Sequence, residues 1–222
     1  MERILLVLLV SCALIGAGFI DSDTPAESKM ANREPVPADA SALPDVAAPP
    51  PNADDVADEI IAAQILERFA VRHTALAERE RIALAYVIIE EARLHDLDPD
   101  LVMAVIEVES AGYHLAESHV GALGLMQLLP STGKELAEKR GIPWKGPDTL
   151  FDPIINVRLG TRYLRQLADK YDGNVSTALA AYNWGPGRID RRLRRGATVP
   201  SLYIEQVMRA IDRYAAVPAT RS

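Results

Sequence analysis

From about residue 56 onward, apolar side chains recur every three or four positions, the period of a helix with one face turned to a core. Ile60, Ile61, Ile65, Leu66 and Phe69 mark a first helix over residues 56 to about 75, and Ile82, Leu84, Tyr86, Val87, Ile88 and Ile89 a second over residues 76 to about 95. Asp98-Pro99 is a start signal. The carboxylate can accept from the open amides of a first helical turn, and proline has no N–H left to satisfy there. The helix it opens reaches about Ser110, and a loop containing Gly and His follows to Gly124. A helix is predicted over residues 131–140, then a loop over residues 141–153 with Pro143, Gly146, Pro147 and Pro153. Asp152-Pro153 repeats the start signal, and Ile155, Leu159, Tyr163, Leu167 and Tyr171 continue it until Asp172-Gly173. Residues 175–183 and 202 to about 214 supply the closing helices. No strand–helix alternation and no internal repeat is visible, so the fold class expected is mainly α, a single compact helical domain.

The first 55 residues break this pattern. Residues 4–20 are an uninterrupted run of apolar and small side chains between Arg3 and Asp21, which predicts a signal peptide or membrane anchor. At 17 residues the run lies at the short limit of a spanning helix. It contains the single cysteine, Cys12, after Leu9-Val10-Ser11, a tetrapeptide that resembles the lipobox at which bacterial lipoproteins are cleaved and lipidated. Cleavage after Gly16-Ala17-Gly18, or a Cys12 that is simply a small apolar residue of the segment, are the alternatives; each places the body outside the cytoplasm. Residues 21–55 hold seven of the fifteen prolines and almost no large apolar side chains, so they form a disordered linker. The organisation expected is an anchor or signal over 1–20, a linker over 21–55 and a catalytic body over 56–222. Charge follows the same division. Nine acids and two bases lie between Asp21 and Asp58, which accounts for the whole net charge of −7. The body therefore exerts no general attraction on nucleic acid.

The helix opened by Pro99 carries two carboxylates, Glu107 and Glu109. Two positions at ~100° each set them ~200° apart, so they serve different surroundings. Glu109 falls with Leu101, Val102, Val105 and Val108, and Glu107 with Asp100, Met103 and Ala104. A carboxyl on an apolar stripe loses hydration, holds its proton more tightly and suits general acid chemistry near neutral pH. A core glutamate satisfied by a partner fits the same periodicity.

The residues after Glu109 favour the acid. Glu109-Ser110, Ser118, Gly121-Ala122-Leu123-Gly124-Leu125-Met126-Gln127 and Pro130-Ser131-Thr132 resemble, at matching offsets, blocks of the soluble lytic transglycosylase (SLT) family of the lysozyme-like group. Asn156, Leu159-Gly160-Thr161-Arg162-Tyr163-Leu164, Gly173-Asn174 and Ala181-Tyr182-Asn183-Trp184-Gly185-Pro186-Gly187 resemble its later blocks in order, so that the match spans about residues 84–214. The resemblance implies a lysozyme-like fold and cleavage of the β-1,4 bond between N-acetylmuramic acid and N-acetylglucosamine in peptidoglycan glycan strands, with 1,6-anhydro ends as product. Glu109 would be the single acid and base. Ser118 would hydrogen-bond near it, Gln127 would contact substrate or orient the acid, Tyr182 would lie against Glu109, and Asn183 would brace that turn. Glu117, Asp148 and Asp152 are read as solvated or capping acids. One departure concerns the third position after the glutamate, aromatic in the family; here it is Gly112, with Tyr113 next. Trp184 is either a sugar platform or an ordinary exposed or core aromatic, and the five arginines of residues 188–195 are read as a solvated loop. The four histidines show no metal-ligand spacing, and neither metal nor cofactor is expected. A lysozyme-type hydrolase or a non-catalytic wall-binding module on the same scaffold are the competing readings.

Overall fold

Both start signals work as their chemistry requires. In the computed structural model, which describes residues 53–216, the Asp98 carboxylate accepts from the Asp100 amide at 2.8 Å, and Asp152 accepts from Ile154 and Ile155 at 2.9 and 3.0 Å. The apolar run 4–20, Cys12 and the linker up to residue 52 lie outside the described residues.

The helices are α1 (Ala53–Ala70), α2 (Glu78–Leu94), α3 (Pro99–Ser110), α4 (Pro130–Arg140), α5 (Pro153–Lys170), α6 (Val175–Trp184), α7 (Pro186–Arg194) and α8 (Leu202–Ala216). A 3-10 turn, Pro147–Phe151, interrupts the stretch expected to be loop. The mainly α expectation therefore holds, with two corrections. First, α7 replaces a predicted loop. Gly185-Pro186-Gly187 looks like a breaker, yet Pro186 stands at the first helical position, where its missing N–H costs nothing. Second, α3 has more than one apolar face. Leu101, Val102, Met103, Ala104, Val105 and Ile106 are all buried, because α2 and α8 both pack on this helix.

Three apolar clusters build the body. The largest joins α1, α2, α3 and α8; a second gathers Leu136, Leu150 and Leu159 beside α4 and α5; a third holds Leu167, Ala178, Ala181 and Ile189 between α5, α6 and α7. Tyr182 packs against all three. On the far side of α2, the buried Glu91 binds Arg140 of α4 at 2.9 Å and Arg158 of α5 at 3.4 Å, which clips three helices together through charge.

Candidate active site

α3 ends where the chemistry is expected, and Ser110 shapes that end. Its hydroxyl donates to the Ile106 carbonyl at 3.0 Å and accepts from the Gly112 amide at 3.2 Å. Ala111 then turns left-handed and closes the helix. Glu109 is thus fixed in the last turn of an enclosed helix, partly open to solvent and otherwise surrounded by protein.

The two carboxylates of α3 meet opposite conditions, as their ~200° separation requires. Burial pushes the Glu107 carboxyl up, but a hydrogen bond from Tyr214 at 2.5 Å, contacts from Arg213 and the charge of Arg72 outweigh it, and its pKa lies below the ordinary value. Glu107 is an ionised anchor that ties α3 to α8 and to Arg72 in the turn after α1. Among the described residues Glu109 has no basic partner. Burial pushes its pKa up to about 7, against the opposing hydrogen bond that Tyr203 of α8 donates to Oε1 at 2.7 Å. The carbonyl ends of the α3 peptide dipoles act in the same direction as burial.

Tyr203 and Tyr182 flank this carboxyl. Both phenols are held far above their ordinary pKa, first by burial and then by the nearby Glu109, so they remain proton donors. Tyr182 donates to the Met126 carbonyl at 2.8 Å and lies 5.4 Å, ring to ring, from Tyr163.

The loop after α3 folds back on itself. Leu123 and Leu128 exchange backbone hydrogen bonds at 2.9 and 3.1 Å, and the Gly124 amide donates to the Ala116 carbonyl at 2.9 Å. Asn156, fully buried on α5, pins this fold from beneath. Its Nδ2 donates to the Leu123 and Leu150 carbonyls, both at 2.9 Å, and its Oδ1 accepts from the Met126 amide at 2.7 Å. Gly124 has no room for a side chain, because a Cβ there would stand 2.2 Å from the Leu150 carbonyl oxygen.

Gln127 takes a left-handed backbone conformation, φ 49°, and its amide nitrogen donates to the Ala116 and Gly124 carbonyls at 3.1 and 3.0 Å. Ser118 accepts from the Ala122 amide at 3.0 Å and so helps to close the loop. Tyr182 stands beside the acid, whereas Asn183 lies exposed at the end of α6. Of the other acids considered, Glu117 and Asp148 are exposed, and Asp152 caps α5. Gly112 is left-handed at φ 85° and packs against Phe69 and Arg72, while Tyr113 stacks on His73 with ring centroids 5.7 Å apart.

Tyr203 escaped the sequence reading. Its spacing from Val207 and Ala210 marks a buried face of α8, but only the packing of α8 on α3 reveals that the hydroxyl meets the acid.

The family model described as the transglycosylase SLT domain matches residues 86–201. A soluble lytic murein transglycosylase of Salmonella typhimurium is 38% identical over 113 residues, 50% of this chain and 18% of that protein. A membrane-bound lytic murein transglycosylase C of Cronobacter sakazakii is 35% identical over 112 residues, 46% of this chain and 31% of that protein. A solved structure of an inactive mutant of the lytic transglycosylase Slt of Pseudomonas aeruginosa is 36% identical over 58% of this chain and 21% of that one, with a TM-score of 0.47. The chain spans less than a third of the length of each of these relatives. With the family model covering more than half of its residues, the chain belongs to the transglycosylase SLT domain family.

Proposed function

We propose that this chain is a peptidoglycan lytic transglycosylase in which Glu109 serves as both acid and base. The observation that carries the reading is a carboxyl with a pKa of about 7, enclosed beside two buried phenols and without a basic partner among the described residues. Near neutral pH such a group populates both of its forms, as a single residue that first gives and then takes a proton must. Protonated Glu109 donates to the glycosidic oxygen as the bond to C1 of N-acetylmuramic acid breaks. The resulting carboxylate accepts the proton of the same sugar's C6 hydroxyl while that oxygen bonds to C1. The 1,6-anhydro ring closes, no water is consumed, and the proton is back on Glu109. Most glycosidases use two carboxylates; the exposed positions of Glu117 and Asp148 and the capping role of Asp152 support a single one here.

In this reading Tyr203 tunes the acid, and Tyr182 holds the Met126–Gln127 backbone beside it. Ser118 and Gln127 keep the loop in shape, and Asn183 braces the turn at the end of α6. Residues 1–20 export or anchor the chain, through lipidated Cys12 or otherwise, and residues 21–55 space the 56–222 body from a membrane within the cell envelope. The apolar run 4–20 and the proline-rich linker support this arrangement. Among the described residues no helix is long and apolar enough to cross a membrane.

Mass spectrometry of purified sacculi digested with residues 56–222 tests the reaction. Anhydro-muropeptides are expected, and they should vanish with Glu109→Gln. Reducing-end products would make the chain a hydrolase on this scaffold, and binding without products a non-catalytic module.

A further inference from the structure

Glu107 takes no part in the proposed reaction, yet side chains from both flanks of the chain converge on it. Its Oε2 meets Arg72, in the turn after α1, and accepts from the Tyr214 hydroxyl of α8 at 2.5 Å; its Oε1 meets Arg213 of α8. The Arg68 guanidinium of α1 lies 3.8 Å from the centre of the Tyr214 ring and bonds to Asp100, at the start of α3, at 2.5 Å. Arg72 is tied in turn to the Arg68 carbonyl at 2.6 Å. Only 14, 13 and 19% of the Glu107, Arg68 and Arg72 side chains are exposed, so these pairs are shielded from the water that weakens ion pairs at a surface. α1 and α8 both lie outside residues 86–201, the stretch that the family model matches.

Two routes join this clamp to the acid. Along the chain, the Arg72 stem packs on Gly112, where a Cβ would stand 3.2 Å from its Cδ, so Arg72 touches the chain both before and after Glu109. Through α8, Tyr203 donates to Glu109 at 2.7 Å while Tyr214 donates to Glu107. The two tyrosines stand roughly 16 Å apart along α8, whereas the two carboxylates are close together on opposite sides of α3. α8 therefore lies across the end of α3 and is held at both of its own ends, by one carboxylate each. Val207 and Ala210, buried between these points, choose the face that α8 presents. Apolar contacts of that kind are non-directional and let a helix slide, whereas hydrogen bonds fix its place.

We infer that Glu107, with Arg72 and Tyr214, is a positioning residue for Glu109: it fixes α8 across α3 and thereby holds the Tyr203 hydroxyl on the acid. The inference rests on Glu109 being the acid of the reading above, and it makes the end of α1 a working part of the site. Among the described residues, Tyr203 of α8 and Tyr182 of α6 face Glu109. Arg72, Arg213 and Tyr214 face Glu107, with Arg68 and Asp100 beside them. Removing the Glu107 charge separates position from electrostatics by sign. Loss of a nearby anion makes Glu109 easier to ionise and lowers its pKa, whereas displacement of Tyr203 raises it.

The test is a carbon-13 NMR titration of the glutamate carboxyls in the full chain, with the Glu109 signal identified by its loss in Glu109→Gln. Glu107→Gln should raise the Glu109 midpoint by about half a pH unit, a roughly threefold change in proton affinity. In a Tyr203→Phe background the same substitution should produce no rise, because the bond it acts through is already gone. A midpoint that falls or stays in place without the Tyr203 change overturns the inference, as does an equal rise in both backgrounds. If Glu107→Gln melts early, Tyr214→Phe, which keeps the ring under Arg68, is read in the same way. The alkaline limb of wall cleavage should move with the midpoint. Because the titration needs no substrate, the two failures are distinct. A midpoint that rises in a chain releasing no muropeptides refutes the peptidoglycan reading and keeps the link from Glu107 to Glu109; wall cleavage with an unmoved midpoint does the reverse.

Discussion

Changing Tyr203 to Phe isolates the hydrogen bond that opposes burial at Glu109. The ring stays in the 5%-exposed space it fills, and only the hydroxyl that donates to Glu109 at 2.7 Å is removed. That bond favours the ionised carboxyl and opposes burial, so its loss must raise the pKa from about 7. A hydrogen bond to a charged group contributes about 1.5–3 kcal/mol, and 1.36 kcal/mol corresponds to a tenfold change in proton affinity. Glu109 is partly open, so water recovers some of the loss, and the lower end of that range applies. The expected result is a rise in the alkaline limb of kcat/KM from about pH 7 to about pH 8. Initial rates of anhydro-muropeptide release from pH 5 to 9, for both proteins, provide the measurement. An unmoved limb, or one that shifts down, would refute the role given to Tyr203. A uniform loss of rate at every pH would show that the hydroxyl matters for geometry and leaves proton affinity alone.

Glu109→Gln should be inactive yet more stable above neutral pH. The folded pKa is raised from 4.5 to about 7, so the folded chain binds more protons than the unfolded chain between these values, and stability falls as pH rises through that window. Gln has nothing to ionise, so thermal melting should show the variant ahead by on the order of 1–3 kcal/mol at pH 8 and level with the parent at pH 4; a gap at pH 4 would contradict this. Glu91→Ala leaves the partly solvated Arg140 and Arg158 without their shared partner, and calorimetry should register a loss of about 1–3 kcal/mol. Gly124→Ala forces a Cβ to 2.2 Å from the Leu150 carbonyl oxygen at φ 79°, so the loop should be displaced, with turnover falling at least tenfold while circular dichroism still shows the helices. Asn156→Ala removes three buried hydrogen bonds and is expected to cost about 2–4 kcal/mol in urea unfolding.

Local chemistry made much of this molecule legible in the chain. The caps at Asp98 and Asp152 depend on adjacent residues only, so the starts of α3 and α5 were readable to the residue. The ~200° between Glu107 and Glu109 is likewise helix geometry, and it separated the salt-bridged carboxyl from the desolvated one. What escaped was set by distant partners. Met103 and Ala104 looked like a second side of α3 because nothing nearby reveals that α2 and α8 enclose it. α7 was read as loop since Ile189 alone supplies its buried contact and the preceding Gly-Pro-Gly imitates a break. Tyr203 lies 94 residues beyond the acid, and no spacing rule reaches that far.

The contact of Tyr182 with all three apolar clusters has a consequence for safety as well as for shape. The proton affinity of Glu109 exists only while water is kept from most of the carboxyl, and Tyr182 keeps its place only while the clusters hold together. Loosening of any one of them admits water, and the carboxyl then drifts back toward its ordinary value of 4.5 and ionises in neutral surroundings. A copy that has lost this packing would hold Glu109 ionised at neutral pH. On the proposed function, cleavage of the wall would then depend on an intact fold.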